Sequence, residues 1–113
     1  MLSPAIYNMT CLQGATLDKT FTATNDGTVV NWTGYTAKMQ VRTYPDKDPV
    51  LTLQTGSGIT ALTNDGKIII TATAAQTGAI AAGNYVYDLE LTSGSYVVRI
   101  IQGRFTVSAQ VTQ

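Results

Sequence analysis

GNYVYDLELTSGSYVV, residues 83–98, is the stretch that decides the fold. From Tyr85 to Leu91, every second residue is a large apolar or aromatic one, with Asp88 and Glu90 between them. A period of two is typical of a strand with one buried face. The Ser-Gly pair at 93–94 then interrupts the pattern, and glycine accepts the positive φ of a tight turn. The stretch therefore predicts two antiparallel strands joined by a hairpin.

The same alternation recurs along most of the chain. It is found over residues 7–11, 17–23 (where Lys19 interrupts the apolar positions), 35–42 and 105–111. Asp-Gly pairs at 26–27 and 65–66 predict two further hairpin turns. Residues 44–49 predict an exposed loop, 73–82 a short helical crossover, and Gly103 a bulge in the last strand. Seven or eight strands at this spacing indicate an all-β chain.

The finer prediction is an immunoglobulin-like antiparallel β-sandwich, formed by residues 1–113 as a single domain. Tyr85 stands at the head of a strand, directly after the small residues 81–83. In immunoglobulin-like sandwiches a tyrosine at this corner bonds through its hydroxyl to backbone upstream. A simple buried strand tyrosine is the alternative, and the sequence leaves both open.

Composition excludes several classes of function. The 113 residues include seven basic and seven acidic ones, which gives a formal net charge of zero. No basic stripe is present, so we expect no nucleic-acid partner. We expect no membrane partner either, since no long apolar run or signal peptide is seen. A neutral surface and a single cysteine favour cytoplasmic synthesis and life within an assembly.

The residues that carry chemistry are sparse. The chain has no histidine, which removes the usual general base and the commonest metal ligand. Cys11 falls in an alternating stretch and is expected to be a buried hydrophobe. Asp46 and Asp48 lack a third ligand for calcium. We therefore expect no enzyme, no catalytic residue, no metal and no cofactor.

The remaining candidate catalytic carboxylates are those of Asp88 and Glu90, which lie on one face of a strand. Arg99 on the next strand is expected to pair with them as a surface ion pair. A flat sheet face would offer these carboxylates no cleft for glycoside chemistry. Ligand stacking on exposed aromatic rings is a further possibility, for which Trp32, Tyr44 and Tyr96 are the candidates, although Trp32 is expected to plug the core.

A family resemblance extends over nearly the whole chain. Residues 32–42 (WTGYTAKMQVR), 48–51 (DPVL), 83–91 (GNYVYDLEL) and 103–107 (GRFTV) resemble N-terminal domains of baseplate and tail-fibre proteins of tailed bacteriophages. The resemblance implies a non-catalytic structural component of the virion, made in the host bacterial cytoplasm. It would be a tail, baseplate or fibre-attachment adaptor. Its partners would be other virion proteins and copies of itself.

The resemblance supplies no partner-binding residues that can be carried over. From the residues themselves, the terminal segments 2–12 and 108–113 are candidates to add a strand to an open sheet edge of a neighbour. A capsid decoration protein and a carbohydrate- or receptor-binding module are the alternative functions.

Overall fold

The computed structural model describes residues 5–25, 27–45, 47–62 and 64–111. Their secondary structure is almost entirely strand, which confirms the all-β prediction. In chain order the elements are β1 (Ala5–Ile6), β2 (Met9–Leu12), β3 (Leu17–Thr22), β4 (Thr24–Asn25), β5 (Thr28–Val29), β6 (Thr36–Arg42), β7 (Pro49–Thr55), β8 (Gly58–Leu62), β9 (Lys67–Ala72), α1 (Ala74–Gly78), β10 (Gly83–Ser93) and β11 (Tyr96–Ser108).

Nine of these strands form one continuous sheet, in the order β1-β11-β10-β6-β7-β8-β9-β3, with β2 also paired to β11. The pairs β10–β11, β6–β10, β6–β7, β8–β9 and β3–β9 are antiparallel. The N-terminal strands β1 and β2 run parallel to β11. The remaining two strands, β4 and β5, form a small separate ribbon.

The sheet must curl, because β2 and β3 lie at its opposite ends and yet follow one another closely in sequence. Leu12 ends β2 and Leu17 begins β3. Five steps of about 3.8 Å span at most about 19 Å. A flat sheet would separate the two strands by seven spacings of about 4.8 Å, or about 34 Å. The result is a curled, open half-barrel.

The curl is concentrated where β7 meets β8. These strands share only two residue pairs, Gln54 with Gly58 and Thr55 with Ile59, in parallel. Gly58 has a φ of 101°, and a Cβ there would lie 2.5 Å from a methyl carbon of Leu53. A left-handed backbone in close contact with a core side chain requires glycine. This corner leads the chain from β7 into β8.

The buried apolar residues form one cluster inside the curl, drawn from β2, β3 and β6–β11 and from Trp32 and Ile80 in the connecting segments. The alternation identified the inward positions correctly at residues 37, 39 and 41, and again at residues 87, 89 and 91. It was wrong beyond Ser108, where β11 ends: residue 109 is exposed and Val111 is 95% exposed. Alternation shows which face a residue would take in a strand, but not whether a partner strand continues.

The bulge in β11 lies three residues before the predicted position. Leu89 pairs with Ile101 and Glu90 pairs with Arg99, which leaves Ile100 as the extra residue. Both Ile100 and Ile101 are therefore buried. Gly103 itself pairs regularly, and a Cβ at this position would lie 2.4 Å from the carbonyl oxygen of Tyr7. Glycine is needed there for close approach of the N-terminal segment.

The helix α1 confirms the predicted crossover and stabilises the turn between β2 and β3. Thr73 and Gln76 form a capping box at its start. The buried hydroxyl of Thr77 donates to the carbonyl of Ala15 at 2.8 Å and accepts the N–H of Gly14 at 3.1 Å. Shortly after the helix, the hydroxyl of Tyr85 donates to the carbonyl of Ala81 at 2.6 Å, as the tyrosine-corner interpretation predicts.

Candidate binding groove

The outer face of β6, β10 and β11 holds an open groove of about 860 Å³. Polar and charged side chains line most of it, including Gln40, Arg42, Asp88, Glu90, Arg99 and Arg104. The N-terminal segment forms one wall through Ile6 and Asn8, and Pro45 lines the other end. The expected flat face without a cleft is therefore wrong. The N-terminal segment beside β11 makes this face concave.

The N-terminal segment that forms this wall is hydrogen-bonded to a side chain of β10 on the inner face of the sheet. The hydroxyl of Tyr87 donates to the carbonyl of Tyr7 at 2.6 Å, and the N–H of Tyr7 donates to the carbonyl of Gln102 at 3.0 Å. Burial, with a further contribution from Tyr7, raises the pKa of Tyr87 above its usual range. Tyr87 is therefore a neutral donor that positions the segment carrying Ile6 and Asn8.

The pairing register places charged side chains of β6 and β11 on either side of β10. On the central strand β10, Val86 pairs with Arg42 on one side and Arg104 on the other. Glu90 pairs in the same way with Lys38 and Arg99. The acidic strand thus lies between two basic ones, an arrangement that stabilises neighbouring strands through cross-strand charge pairs.

The predicted ion pair is present between Arg99 and Asp88, with Nε and Oδ2 3.3 Å apart. Both side chains are well exposed to solvent. An exposed pair of this kind contributes under about 1 kcal/mol to stability. Glu90 is half-buried and has no hydrogen-bond or ion-pair partner among the described residues.

Three amide side chains of the groove accept hydrogen bonds from the chain itself. The Asn8 Oδ1 accepts the backbone N–H of Arg104 at 3.0 Å. The Gln40 Oε1 accepts Nη2 of Arg42 at 2.7 Å, and the Gln102 Oε1 accepts Nη1 of Arg99 at 3.4 Å. Since the oxygens are occupied, the NH₂ groups are the side available to a ligand. The groove is rich in donors.

The other residues singled out in the sequence lie elsewhere. Cys11 is buried, and burial raises the pKa of its thiol, so the expected structural role fits its position. Trp32 is 1% exposed, and its Nε1 has no hydrogen-bond partner among the described residues. It packs edge-on against Tyr35 with ring centroids 5.0 Å apart, as a core plug should.

The exposed aromatic side chains do not form one binding platform. Tyr44 follows the end of β6 that pairs with Val86, whereas Tyr96 pairs with Ser93 at the far end of β10. Seven residues of strand separate these positions by about 23 Å. With Trp32 buried as well, a stacking site made of all three rings is ruled out.

Asp46 of the calcium hypothesis lies outside the described residues, and Asp48 is exposed. Among the described residues, no group of three or more Cys, Asp and Glu side chains is placed to hold a metal ion. No helix in the described part of the chain is long and apolar enough to cross a membrane.

Sequence reasoning identified Asp88, Glu90 and Arg99 but missed Asn8 and Arg104. Outward polar residues on a strand have the same pattern whether they are merely solvated or line a groove. Only the parallel pairing of β1 and β2 with β11 brings Asn8 to this face, and a pairing 96 residues apart leaves no local signal in the sequence.

The described residues form a small, curled, open β-sheet with a polar groove on its outer face. No protein-family model and no curated protein matches the chain. Among solved structures, the chain is similar to part of the endo-β-1,4-mannanase from Thermotoga petrophila, with a TM-score of 0.52 and 14% identity. The match covers 91% of this chain and 18% of the mannanase chain. At this identity the likeness concerns the fold alone.

Proposed function

We propose that this chain is a non-catalytic structural component of a tailed-bacteriophage virion, which acts through protein–protein contacts as a tail, baseplate or fibre-attachment adaptor. The residues 32–42 and 83–91 that resemble baseplate and tail-fibre proteins form β6 and β10, the central strands of the sheet. The resemblance thus lies in the segments on which the fold depends.

One observation carries the proposal of protein contacts. Large apolar side chains are exposed where the chain leaves the sheet: Ile6 is 69%, Leu12 61% and Val111 95% exposed. Ile6 and Leu12 lie on the N-terminal strands beside β11, and Val111 follows the end of β11. These exposed side chains are apolar surface that a protein partner would cover.

A second apolar feature lies between the two edges of the curled sheet. A small groove of about 200 Å³ separates the N-terminal segment from the end of β3, with Ile100 and Ile101 at its base. Tyr7 and Phe21 bridge it edge-to-face, with centroids 5.4 Å apart. Within the described residues, no strand pairs with the edge of β3 that faces away from β9, and an unpaired edge accepts strands from other chains.

The proposed strand donor is the C-terminal tail. The N-terminal candidate segment already pairs with β11 of the same chain over residues 5–6 and 9–12, and residues 2–4 lie outside the described residues. The tail after Ser108 has no strand partner as far as Val111. Its backbone donates one hydrogen bond within the chain, from Gln110 N–H to Oε1 of Gln13 at 3.0 Å. We propose it as the donor because it is the terminal segment without a strand partner.

We further propose that the curled sheet is an immunoglobulin-like sandwich forming one domain. The N-terminal strands with β11, β10, β6 and β7 would be one layer, and β8, β9 and β3 the other, joined by the corner at Gly58. The hydrogen bond from the Tyr85 hydroxyl to the carbonyl of Ala81 supports this interpretation, since a corner tyrosine of an immunoglobulin-like sandwich bonds to upstream backbone in this way.

The decisive experiment determines whether the protein is found in phage particles or in the soluble lysate. Particles purified from a culture that produces this protein should contain it, and an antibody raised against the folded domain should label them at the tail or its tip. A virion role is contradicted if the chain remains in the soluble lysate and is missing from the particles by mass spectrometry. Labelling of the head surface would replace the adaptor by a decoration role.

Strand donation by the C-terminal tail is tested separately from the virion role. Removing residues 109–113 leaves β11 complete and should lower incorporation into particles several-fold, because strand addition depends on backbone pairing. Replacing Val111 by Ser keeps the backbone and serves as the matched control for the side chain. Unchanged incorporation of the truncated chain would eliminate strand donation while leaving the virion role intact.

A further inference from the structure

The groove on β6, β10 and β11 has a chemistry more specific than a solvated sheet face. We propose that it binds the carboxylate side chains of an acidic segment of a protein partner. The inference rests on the proposed function only in taking the partner to be a protein. The geometry itself defines the ligand chemistry, which is that of hydrogen-bond acceptors with negative charge.

The first support is the direction of the amide groups. Asn8, Gln40 and Gln102 line one groove, and each has its carbonyl oxygen occupied by an N–H of the chain. An amide whose oxygen is occupied in this way keeps two N–H donors for a ligand. Three amides with the same polarity in one groove favour acceptor groups and disfavour donors.

The second support is a pair of arginines on either side of Val86. Arg42 and Arg104 lie on strands flanking β10 at the same level, so their Cα atoms are about 10 Å apart at about 4.8 Å per strand spacing. The guanidinium of Arg42 is held by Gln40 and by the carbonyl of Lys47. A guanidinium fixed in advance loses less freedom when it forms a bidentate bond with a carboxylate.

The charge balance of the face also favours a negatively charged ligand. The outer positions of β6, β10 and β11 carry four basic residues (38, 42, 99 and 104) and two acidic ones (88 and 90), a net charge of 4 − 2 = +2. The whole chain has a net charge of zero, so the rest of it has a net charge of −2. The positive excess is therefore concentrated on the face with the groove. Asp88 is already paired with Arg99 and does not oppose a ligand at the Arg42–Arg104 end.

The apolar rim favours a peptide over an inorganic anion. Ile6 and Pro45 line opposite ends of the groove, and both are exposed. A segment that alternates acidic and apolar residues would bind the arginines and cover these side chains together. Glu90 in the centre of the face has no partner among the described residues and disfavours a continuous phosphate backbone, which would place negative charge beside it.

Binding is tested with a defined probe, a short capped peptide of alternating Glu and Leu, titrated into the isotope-labelled full chain at low salt. Backbone amide shifts should be confined to β6, β10, β11 and residues 6–8, with a Kd tighter than about 1 mM that weakens as salt is added. The matched peptide of Gln and Leu should not bind.

Two double variants and two single variants test the residues. Arg42→Gln combined with Arg104→Gln should weaken binding at least about tenfold. Lys19→Gln combined with Lys67→Gln removes the same charge from β3 and β9 and should leave the affinity within about twofold. Gln40→Glu places a carboxylate in the groove and should also abolish binding. Gln54→Glu adds the same charge on β7, outside the groove, and should leave binding in place.

The outcomes are distinct. No binding of the acidic peptide, equal weakening by both double variants, or binding of an acidic polysaccharide in place of the peptide would each overturn the proposal. If the peptide fails to bind while the chain is present in particles, the groove inference falls and the virion role stands. If the peptide binds as expected and the chain is missing from particles, the groove stands and the virion role falls.

Discussion

The two faces of β6, β10 and β11 follow opposite rules. The inner face is built of apolar side chains that are almost fully buried, with Met39, Leu89 and Phe105 among them. The outer face is built of charged and amide side chains held by hydrogen bonds and one exposed ion pair. Stability therefore depends on the shape of the inner residues, and recognition on the directions of donors on the outer face. A substitution should affect one property with little effect on the other.

The largest expected effect is on the inner face. Leu89→Ala should lower the free energy of unfolding by about 3 kcal/mol, since Leu89 is fully buried on the central strand β10 and its loss leaves a cavity. Glu90→Ala, the next residue and outward-facing, is the matched control and should change it by under about 0.5 kcal/mol. Urea denaturation measures both. Equal effects of the two substitutions would remove the distinction between the faces.

An intermediate effect is expected at Tyr87, whose hydroxyl connects the inner face to the wall of the groove. Tyr87→Phe should cost about 1 kcal/mol, because the carbonyl of Tyr7 loses its donor. The sign of the pH dependence follows from the raised pKa in the folded state. The unfolded phenol ionises near pH 10, so the unfolded state loses its proton first and stability falls as the pH rises past about 10.

Denaturation series between about pH 7 and pH 11 test this dependence. In Tyr87→Phe, the loss of stability at alkaline pH that comes from Tyr87 should be missing. Tyr96→Phe on the exposed hairpin should keep it. An identical alkaline decline in the wild-type chain and in Tyr87→Phe would mean that Tyr87 makes no contribution to it.

The smallest effect belongs to the ion pair of the outer face. Asp88→Asn should lower stability by under about 1 kcal/mol, and the loss should disappear at high salt, because both partners are exposed. A double-mutant cycle with Arg99→Gln isolates the coupling between the two side chains. A salt-independent coupling well above about 1 kcal/mol would give the outer face a structural role comparable to that of the core.

The alternation of residues sufficed to predict the strands and the inward positions, because burial on one face of a strand imposes a period of two. Asp-Gly and Ser-Gly pairs marked turns because those turns need positive φ, as Gly66 (83°) and Gly94 (61°) have. The curl, the position of the bulge at Ile100 and the parallel strands beside β11 depend on long-range pairing. No local pattern encodes such pairing.

The groove was even less accessible to prediction than the fold. Asp88 and Arg99 were found as a pair because they face the same way on strands joined by a hairpin. Asn8 and Gln102 carry no such signal, and their role depends on which atom of each amide is already bonded. Directions of this kind follow from the folded arrangement of side chains rather than from residue type.

The parallel pairing of β2 with β11 has a mechanical consequence. Met9 pairs with Phe105 and Leu12 with Ser108, so the first long strand and the last one run side by side in the same direction. Tension that pulls the chain apart at its two ends acts along these strands and loads all their hydrogen bonds simultaneously. Bonds loaded in shear must break together, whereas bonds at the end of a hairpin open one after another. The pairing of β2 with β11 is thus arranged to resist stretching along these two strands.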